Sequence, residues 1–113
     1  MAAWPPRGRE TLNSVLKVDL HIHTADDPYD RIPHSTATLI ERAAALGYDA
    51  VAITLHDAQF DPSPVADVAR RLGVTLVPGI ERTIHGRHVL LINFPAAAAC
   101  AVTEYDHIPR LKA

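Results

Sequence analysis

Four side chains of metal-ligand type stand out because each follows an apolar segment of the chain. His21 and His23, two residues apart, end an alternating segment that begins near Val15, and His56 and Glu81 follow later apolar segments. Imidazole and carboxylate groups are usual protein ligands of Zn²⁺, Mn²⁺ and Fe²⁺. These residue types predict a divalent metal site if the fold brings them together.

The His-x-His pair is weak evidence by itself. Seven histidines occur in 113 residues, and about 0.4 pairs at this spacing are expected by chance, which is the false-positive risk of such a motif. Taken alone, the pair fits exposed histidines at the end of a strand, and His56 fits a turn residue. Glu81 alone fits a surface acid or an ion-pair partner of Arg82 or Arg87. The metal hypothesis depends on their joint placement.

The elements that would position these residues alternate between strands and helices. Val18, Leu20 and Ile22 alternate with polar residues, which is the period-two pattern of a strand. A helix follows, with Ser35 or Thr38 as its N-cap, and ends near residue 47. The other predicted elements are a strand at 50–54, a helix capped by Ser63 and ending at 73, strands at 75–77 and 88–94, and an alanine-rich helix at 95–101.

This order predicts an α/β fold of parallel strand–helix units with right-handed crossovers. Sites in such folds lie at the carboxyl ends of the strands, where all four candidates fall. The direction of the last strand stays open, because the link at 80–87 is too short for a helical crossover. His88 at its start would lie at the far edge of a parallel sheet, and an antiparallel strand would change that.

Composition limits the function classes. A hydrophobic content of 48% and a net charge of −2 indicate one globular domain without the basic face that nucleic-acid binding needs. The single cysteine, Cys100, excludes an internal disulfide, and the apolar runs are far shorter than the roughly 18 residues of a membrane span. We expect a cytoplasmic protein with no membrane or nucleic-acid partner, in which an irregular segment at 1–14 precedes one domain at 15–113.

An acidic loop and several further histidines offer weaker candidates. One of Asp26, Asp27 and Asp30, directly after the His-x-His pair, could ligate or bridge a metal, or the three could simply form a solvated turn. The remaining histidines, at positions 34, 85 and 107, are expected on the surface.

The sequence resembles the PHP family (polymerase and histidinol phosphatase) in three successive motifs. These are DLHIHT at 19–24, LGYDAVAITLHD at 46–57 and LVPGIE at 76–81. They occur in the family's order at suitable spacing, and the likeness extends over roughly residues 16–94. Amidohydrolase barrels also begin with His-x-His, but the strand ends of the second and third motifs fit the PHP family better.

The resemblance implies a phosphoesterase with two or three divalent metal ions (Zn, Mn or Fe), built on a distorted (β/α)7 barrel related to the TIM barrel. Water activated by the metals would attack the phosphorus of a small phosphorylated substrate. Glu81 is best placed to bridge two metals, and Arg82 or Arg87 could bind the phosphate. The metal ligands would be His21, His23, His56, Glu81 and Asp27. The first four of these would also be the catalytic residues.

Two departures from the family support a rival hypothesis. Leu55 replaces the aspartate usual in the second motif, although Asp57 could compensate. The sequence also stops before the later ligands of the family, so it corresponds to the first half of the barrel. The alternative is therefore a truncated or non-catalytic metal-binding half-domain, which could form a homodimer through its open sheet edge.

Overall fold

The computed structural model describes residues 15–111, so the irregular segment predicted at 1–14 lies outside the described residues. Strands and helices alternate up to a final hairpin and a short C-terminal helix. The elements are β1 (Val18–Ile22), α1 (Thr36–Ala45), β2 (Ala50–Ile53), α2 (Ala66–Leu72), β3 (Thr75–Ile84), β4 (Arg87–Ile92) and α3 (Ala96–Cys100), with 3-10 turns at Ser63–Val65 and Tyr105–Leu111.

A curled four-stranded sheet in the order β1-β2-β3-β4 forms a half-barrel. β1, β2 and β3 are parallel, as the sequence predicts, because α1 and α2 return the chain between them. β4 is antiparallel to β3, across a turn at 85–86. The α/β class and the parallel strand–helix units are therefore confirmed for the first three strands, and the direction left open for the fourth is resolved.

The start of α1 agrees with the sequence prediction and the start of α2 does not. Ser35 is the N-cap of α1, because its Oγ accepts the backbone N–H of Thr38. The prediction that Ser63 caps the second helix is wrong, and α2 begins at Ala66. The hydroxyl of Ser63 instead donates to Asp61 Oδ1, and residues 63–65 form a 3-10 turn. Within residues 15–111, no helix is long and apolar enough to cross a bilayer.

Two apolar cores leave the concave face of the sheet to the site residues. The larger core packs α1 and α2 against the sheet around Ile40, Val51 and Ile53, and the smaller core packs the β3–β4 hairpin against α3 around Ile80 and Val102. Because side chains alternate along a strand, the residues between these core positions project to the opposite face. The candidate ligands occupy that face.

Candidate metal centre

The two histidines of the first motif meet the glutamate of the third. His21 Nε2 and His23 Nε2 each lie 2.9 Å from Glu81 Oε1, and 3.4 Å from each other. The Glu81 side chain is only 5% exposed, whereas that of His21 is 51% exposed. Three ligand atoms therefore lie close together. They are shielded from solvent on the Glu81 side and exposed to it on the His21 side.

Asp27 connects the loop after β1 to the loop after β2. Its Oδ2 lies 2.8 Å from His23 Nδ1 and 3.0 Å from His56 Nδ1, and it accepts the backbone N–H of His56 at 3.1 Å. Its Oδ1 accepts the N–H groups of Tyr29 and Asp30, each at 2.9 Å. This buried carboxylate holds the rings of His23 and His56 in a stack, with centroids 4.4 Å apart.

The acidic loop is divided between the site and the fold. Asp30 Oδ2 lies 3.4 Å from His56 Nδ1, so Asp30 joins Asp27 at the cluster. Asp26 turns away, because its Oδ2 accepts the hydroxyl of the buried Thr36 at 2.7 Å. Asp26 therefore anchors the loop to the start of α1.

Three overlapping groups of side chains could each hold a metal ion. Their ligand atoms lie within 4.8 Å of one another in every group. The groups are His21–His23–Glu81, His23–Asp27–Asp30–His56 and His56–Glu81–His88. Glu81 is common to the first and third groups, and His56 to the second and third, so the groups form one continuous cluster.

His88 is a metal-ligand type of residue that the sequence could not assign to either end of the sheet, because the direction of β4 was open. Because β4 is antiparallel, its first residues lie beside the end of β3, and His88 pairs with Thr83. Its Nδ1 lies 3.1 Å from Glu81 Oε2. The short link around Gly86 was the available signal, since two apolar strands joined by so few residues favour a hairpin.

The charges of the cluster suit a cation. Burial raises the pKa of Asp27, but hydrogen bonds from backbone N–H groups of the following turn outweigh it and bring its pKa below the ordinary value. Burial also raises the pKa of Glu81, but the hydrogen bond and charge of His21, together with the charges of His56 and His23, more than offset this, so the pKa falls. Burial lowers the pKa of His56, but the neighbouring carboxylates, first Asp27 and then Glu81 and Asp30, together raise it further than burial lowers it. Two carboxylates therefore stay ionised at the centre of the cluster.

Of the two arginines predicted to bind substrate, Arg82 is bound away from the ligands and Arg87 is exposed. Arg82 follows Glu81 along β3, so its side chain leaves the opposite face of the strand. Its guanidinium donates to Asp57 Oδ1 at 3.0 Å and to the carbonyl of Val102 at 2.8 and 3.1 Å. Arg87 is exposed at the start of β4. The fold does not bring Arg82 to the cluster, and a substrate contact of Arg87 stays a prediction.

Leu55 and Asp57 differ from the roles suggested by the motif. Leu55 packs into the larger apolar core. Asp57 does not compensate by facing the ligands, because its Oδ1 accepts Arg82 and the backbone N–H of Thr83. Asp27 instead supplies the carboxylate that orients His56.

A cavity of about 570 Å³ opens beside the exposed side of the cluster. His21 and His23 form one wall, and α1 forms another with the apolar Leu39 and the cationic Arg42. His34 is exposed, as expected, and also lines the cavity. Of the other histidines expected on the surface, His85 is exposed and bonds to Glu104, and His107 is half-buried and accepts the N–H of Thr103.

Comparison with known proteins finds partial relatives among DNA polymerases. No protein-family model matches the chain. Over 77 residues, 68% of its length, it is 36% identical to DNA polymerase III PolC-type of Caldanaerobacter subterraneus. Over 83 residues, 73% of its length, it is 36% identical to the error-prone DNA polymerase of Mycobacterium bovis and to that of Mycobacterium tuberculosis. The match spans only 5% of the first relative and 8% of the others, so the likeness is to a small region of each.

Proposed function

We propose that this chain is a PHP-type domain that binds divalent metal ions and hydrolyses phosphate esters. The observation that carries the proposal is the position of Glu81, whose two carboxylate oxygens face different sets of imidazoles, His21 with His23 and His88. The ligands from three sequence motifs support the family assignment. So do the relatives, since DNA polymerases are one of the two kinds of protein in the family's name.

The donor atoms fit a metal of the zinc type. Ligands about 2.1 Å from Zn²⁺ are about 3.4 Å apart in a tetrahedron. The nitrogen and oxygen atoms of His21, His23 and Glu81 are separated by 2.9 to 3.4 Å, so a small expansion would admit the ion. Imidazole with ionised carboxylate suits Zn²⁺, Mn²⁺ and Fe²⁺ rather than softer ions, which prefer sulfur.

Within the proposed reaction, the side chains bind and orient. Bound divalent cations supply the Lewis acidity that activates water and offsets phosphate charge. Asp27 keeps His23 and His56 in one orientation, and Glu81, which belongs to two of the ligand groups, would serve both of them with its two oxygens. The exposed face of His21 is the side from which a phosphate ester can approach, and the adjoining cavity has room for the rest of a small substrate. Arg42 offers a guanidinium to an anionic substituent there.

We extend the proposal to architecture and partners. The half-barrel is the first part of a distorted seven-stranded barrel related to the TIM barrel. Among residues 15–111, β1 has a single strand neighbour, β2, and so ends the sheet with an open edge beside His21. A second copy pairing at this edge would give the expected homodimer, which sedimentation analysis tests directly. We propose no nucleic-acid partner, because a net charge of −2 does not favour binding to phosphate groups.

The same open edge favours a second candidate, a metal-binding half-domain without turnover. Elemental analysis of the purified protein, together with hydrolysis of an aryl phosphate in added Mn²⁺ or Zn²⁺, separates the two. We expect bound metal and turnover in the wild type, and loss of both in His21→Ala and His56→Ala. Metal without turnover would favour the half-domain, and absence of metal would reject both candidates.

A further inference from the structure

We propose that the ion pair between Asp57 and Arg82 is a positioning device that sets the spacing of His56 and Glu81, and thereby the metal affinity of the group these ligands share. The inference rests on the proposed metal site. Each member of the pair directly follows one of the two ligands in the sequence, Asp57 after His56 and Arg82 after Glu81.

The pair joins the two strand ends through several hydrogen bonds. Arg82 Nη1 donates to Asp57 Oδ1 at 3.0 Å, and the same oxygen accepts the backbone N–H of Thr83 at 3.0 Å. In return, the backbone N–H of Asp57 donates to the carbonyl of Glu81 at 2.8 Å. His56 and Glu81 also form an isolated parallel bridge at this point. The backbone on which both ligands stand is therefore fixed from both sides.

Partial burial makes this pair stronger than an ordinary surface ion pair. The side chain of Arg82 is 14% exposed and that of Asp57 is 29% exposed. Nε and Nη2 of Arg82 both donate to the carbonyl of Val102, so the guanidinium has little freedom to leave Asp57. Charge-assisted hydrogen bonds with a fixed donor are strong and directional. A small displacement of either loop would have to break them.

The backbone of Asp57 suits the residue that stands there. Its φ is +51°, in the left-handed region that glycine, asparagine and aspartate adopt more readily than other residues. Glycine would fit this backbone but would supply no acceptor for Arg82 and Thr83, whereas the aspartate accepts both.

The expected effect differs among the three ligand groups. His21 and His23 come from β1 and do not stand on the backbone that the ion pair joins, whereas His56 and Glu81 both do. The separation of His56 Nε2 from Glu81 Oε1, 3.6 Å, therefore depends on the two loops. Loss of the pair should weaken most the His56–Glu81–His88 group, which contains both of these ligands, and should weaken less the two groups that contain only one of them.

The test is Zn²⁺ titration of the full chain carrying Asp57→Asn. Asparagine also adopts the left-handed backbone, and its Oδ1 can still accept the N–H groups of both Thr83 and Arg82, so the variant removes the negative charge of the pair and keeps its shape. We expect one class of Zn²⁺ sites to weaken by about 10- to 100-fold, the usual effect of removing a group that orients ligands. The visible spectrum of the Co²⁺ form should change, while the metal-free protein should stay folded with a lower thermal midpoint, because the largely buried Arg82 loses its counter-charge.

Arg82→Met and the double variant complete the design. The double variant should bind Zn²⁺ no more weakly than Arg82→Met, because the two residues act as one unit. Arg70→Met, which breaks the exposed Arg70–Asp67 pair on α2, is the matched control and should leave binding unchanged. If Arg82→Met does not fold, Asp57→Asn decides alone.

The outcomes separate this inference from the proposed function. Wild-type Zn²⁺ affinity and an unaltered Co²⁺ spectrum in Asp57→Asn would overturn the positioning role while leaving the metal site intact. A wild-type protein that binds no Zn²⁺ would overturn both proposals.

Discussion

Glu81 Oε2 lies 3.1 Å from His88 Nδ1, across the hairpin that joins β3 and β4. The contact exists because β4 is antiparallel to β3, which places the first residues of β4 beside the last residues of β3. The other oxygen of Glu81 faces His21 and His23 from β1. A single buried carboxylate thus links ligands from opposite edges of the sheet, which makes it the most informative residue to change.

Glu81→Gln should abolish metal binding at the two groups that share this residue. The amide keeps the size of the side chain but removes the negative charge and one acceptor oxygen. We expect affinity to fall by more than about 100-fold, because changes in residues that merely orient ligands already cost about 10- to 100-fold. Elemental analysis after dialysis measures the loss. Glu41→Gln on the exposed face of α1 is the control, and retention of metal by Glu81→Gln would contradict the site.

Asp27→Asn should release His56 from its raised pKa. Burial lowers the pKa of the imidazole, and the Asp27 carboxylate makes the largest of the contributions that together raise it further than burial lowers it. With a neutral amide in its place, the pKa of His56 should move down towards its ordinary value. Titration of the His56 ring protons by NMR in the metal-free protein measures the shift. An unchanged pKa would mean that Asp27 does not control the charge of His56.

The stability of the metal-free protein should pass through a maximum in mildly acidic solution. Asp27 and Glu81 have lowered pKa values, so their contribution is complete above the unfolded values of 3.8 and 4.5 and is lost as the pH falls through the folded pKa. His56 has a raised pKa, so its contribution is complete below 6.5 and is lost as the pH rises through the folded pKa. The cluster therefore stabilises the fold most between pH 4.5 and pH 6.5.

Urea unfolding of metal-free protein across this range tests the expectation. His56→Gln should flatten the decline on the alkaline side and leave the acid side in place. Excess Zn²⁺ should reverse the alkaline decline, because metal binding requires neutral imidazole and becomes stronger as protons leave. A wild-type profile without any decline above pH 6.5 would contradict the raised pKa of His56.

Sequence patterns predicted the parts of the fold that depend on local periodicity. The alternation of β1 and the apolar runs of β2 and β3 fixed three parallel strands, and strand ends placed His21, His23, His56 and Glu81 at one edge. The predicted start of α2 was wrong because the hydroxyl of Ser63 bonds to Asp61 instead of capping the helix, and a capping rule does not consider such a partner.

Contacts between distant side chains were harder to foresee. Arg82 was a reasonable phosphate ligand by charge, but its position next to Glu81 in a strand sends it to the other face, where Asp57 and Val102 accept it. His88 required the direction of β4, which a short link suggested but did not decide. Asp27 could be chosen from its loop only through the family resemblance, since all three acids there had the same local pattern.

Gly79→Ala should destabilise the strand that carries Glu81. A Cβ at position 79 would lie 2.9 Å from Thr54 Cγ2 and 3.3 Å from Ile92 Cδ1, so β2 and β3 could not keep their present separation. Overpacking of this kind costs about 1–3 kcal/mol, and urea unfolding measures it. Adding Thr54→Ser removes the methyl group that collides but keeps the hydroxyl bonded to Ile22, so the double variant should recover much of the loss. Thr54→Ser alone is the control, and a double variant as unstable as Gly79→Ala would show that Thr54 is not the obstacle.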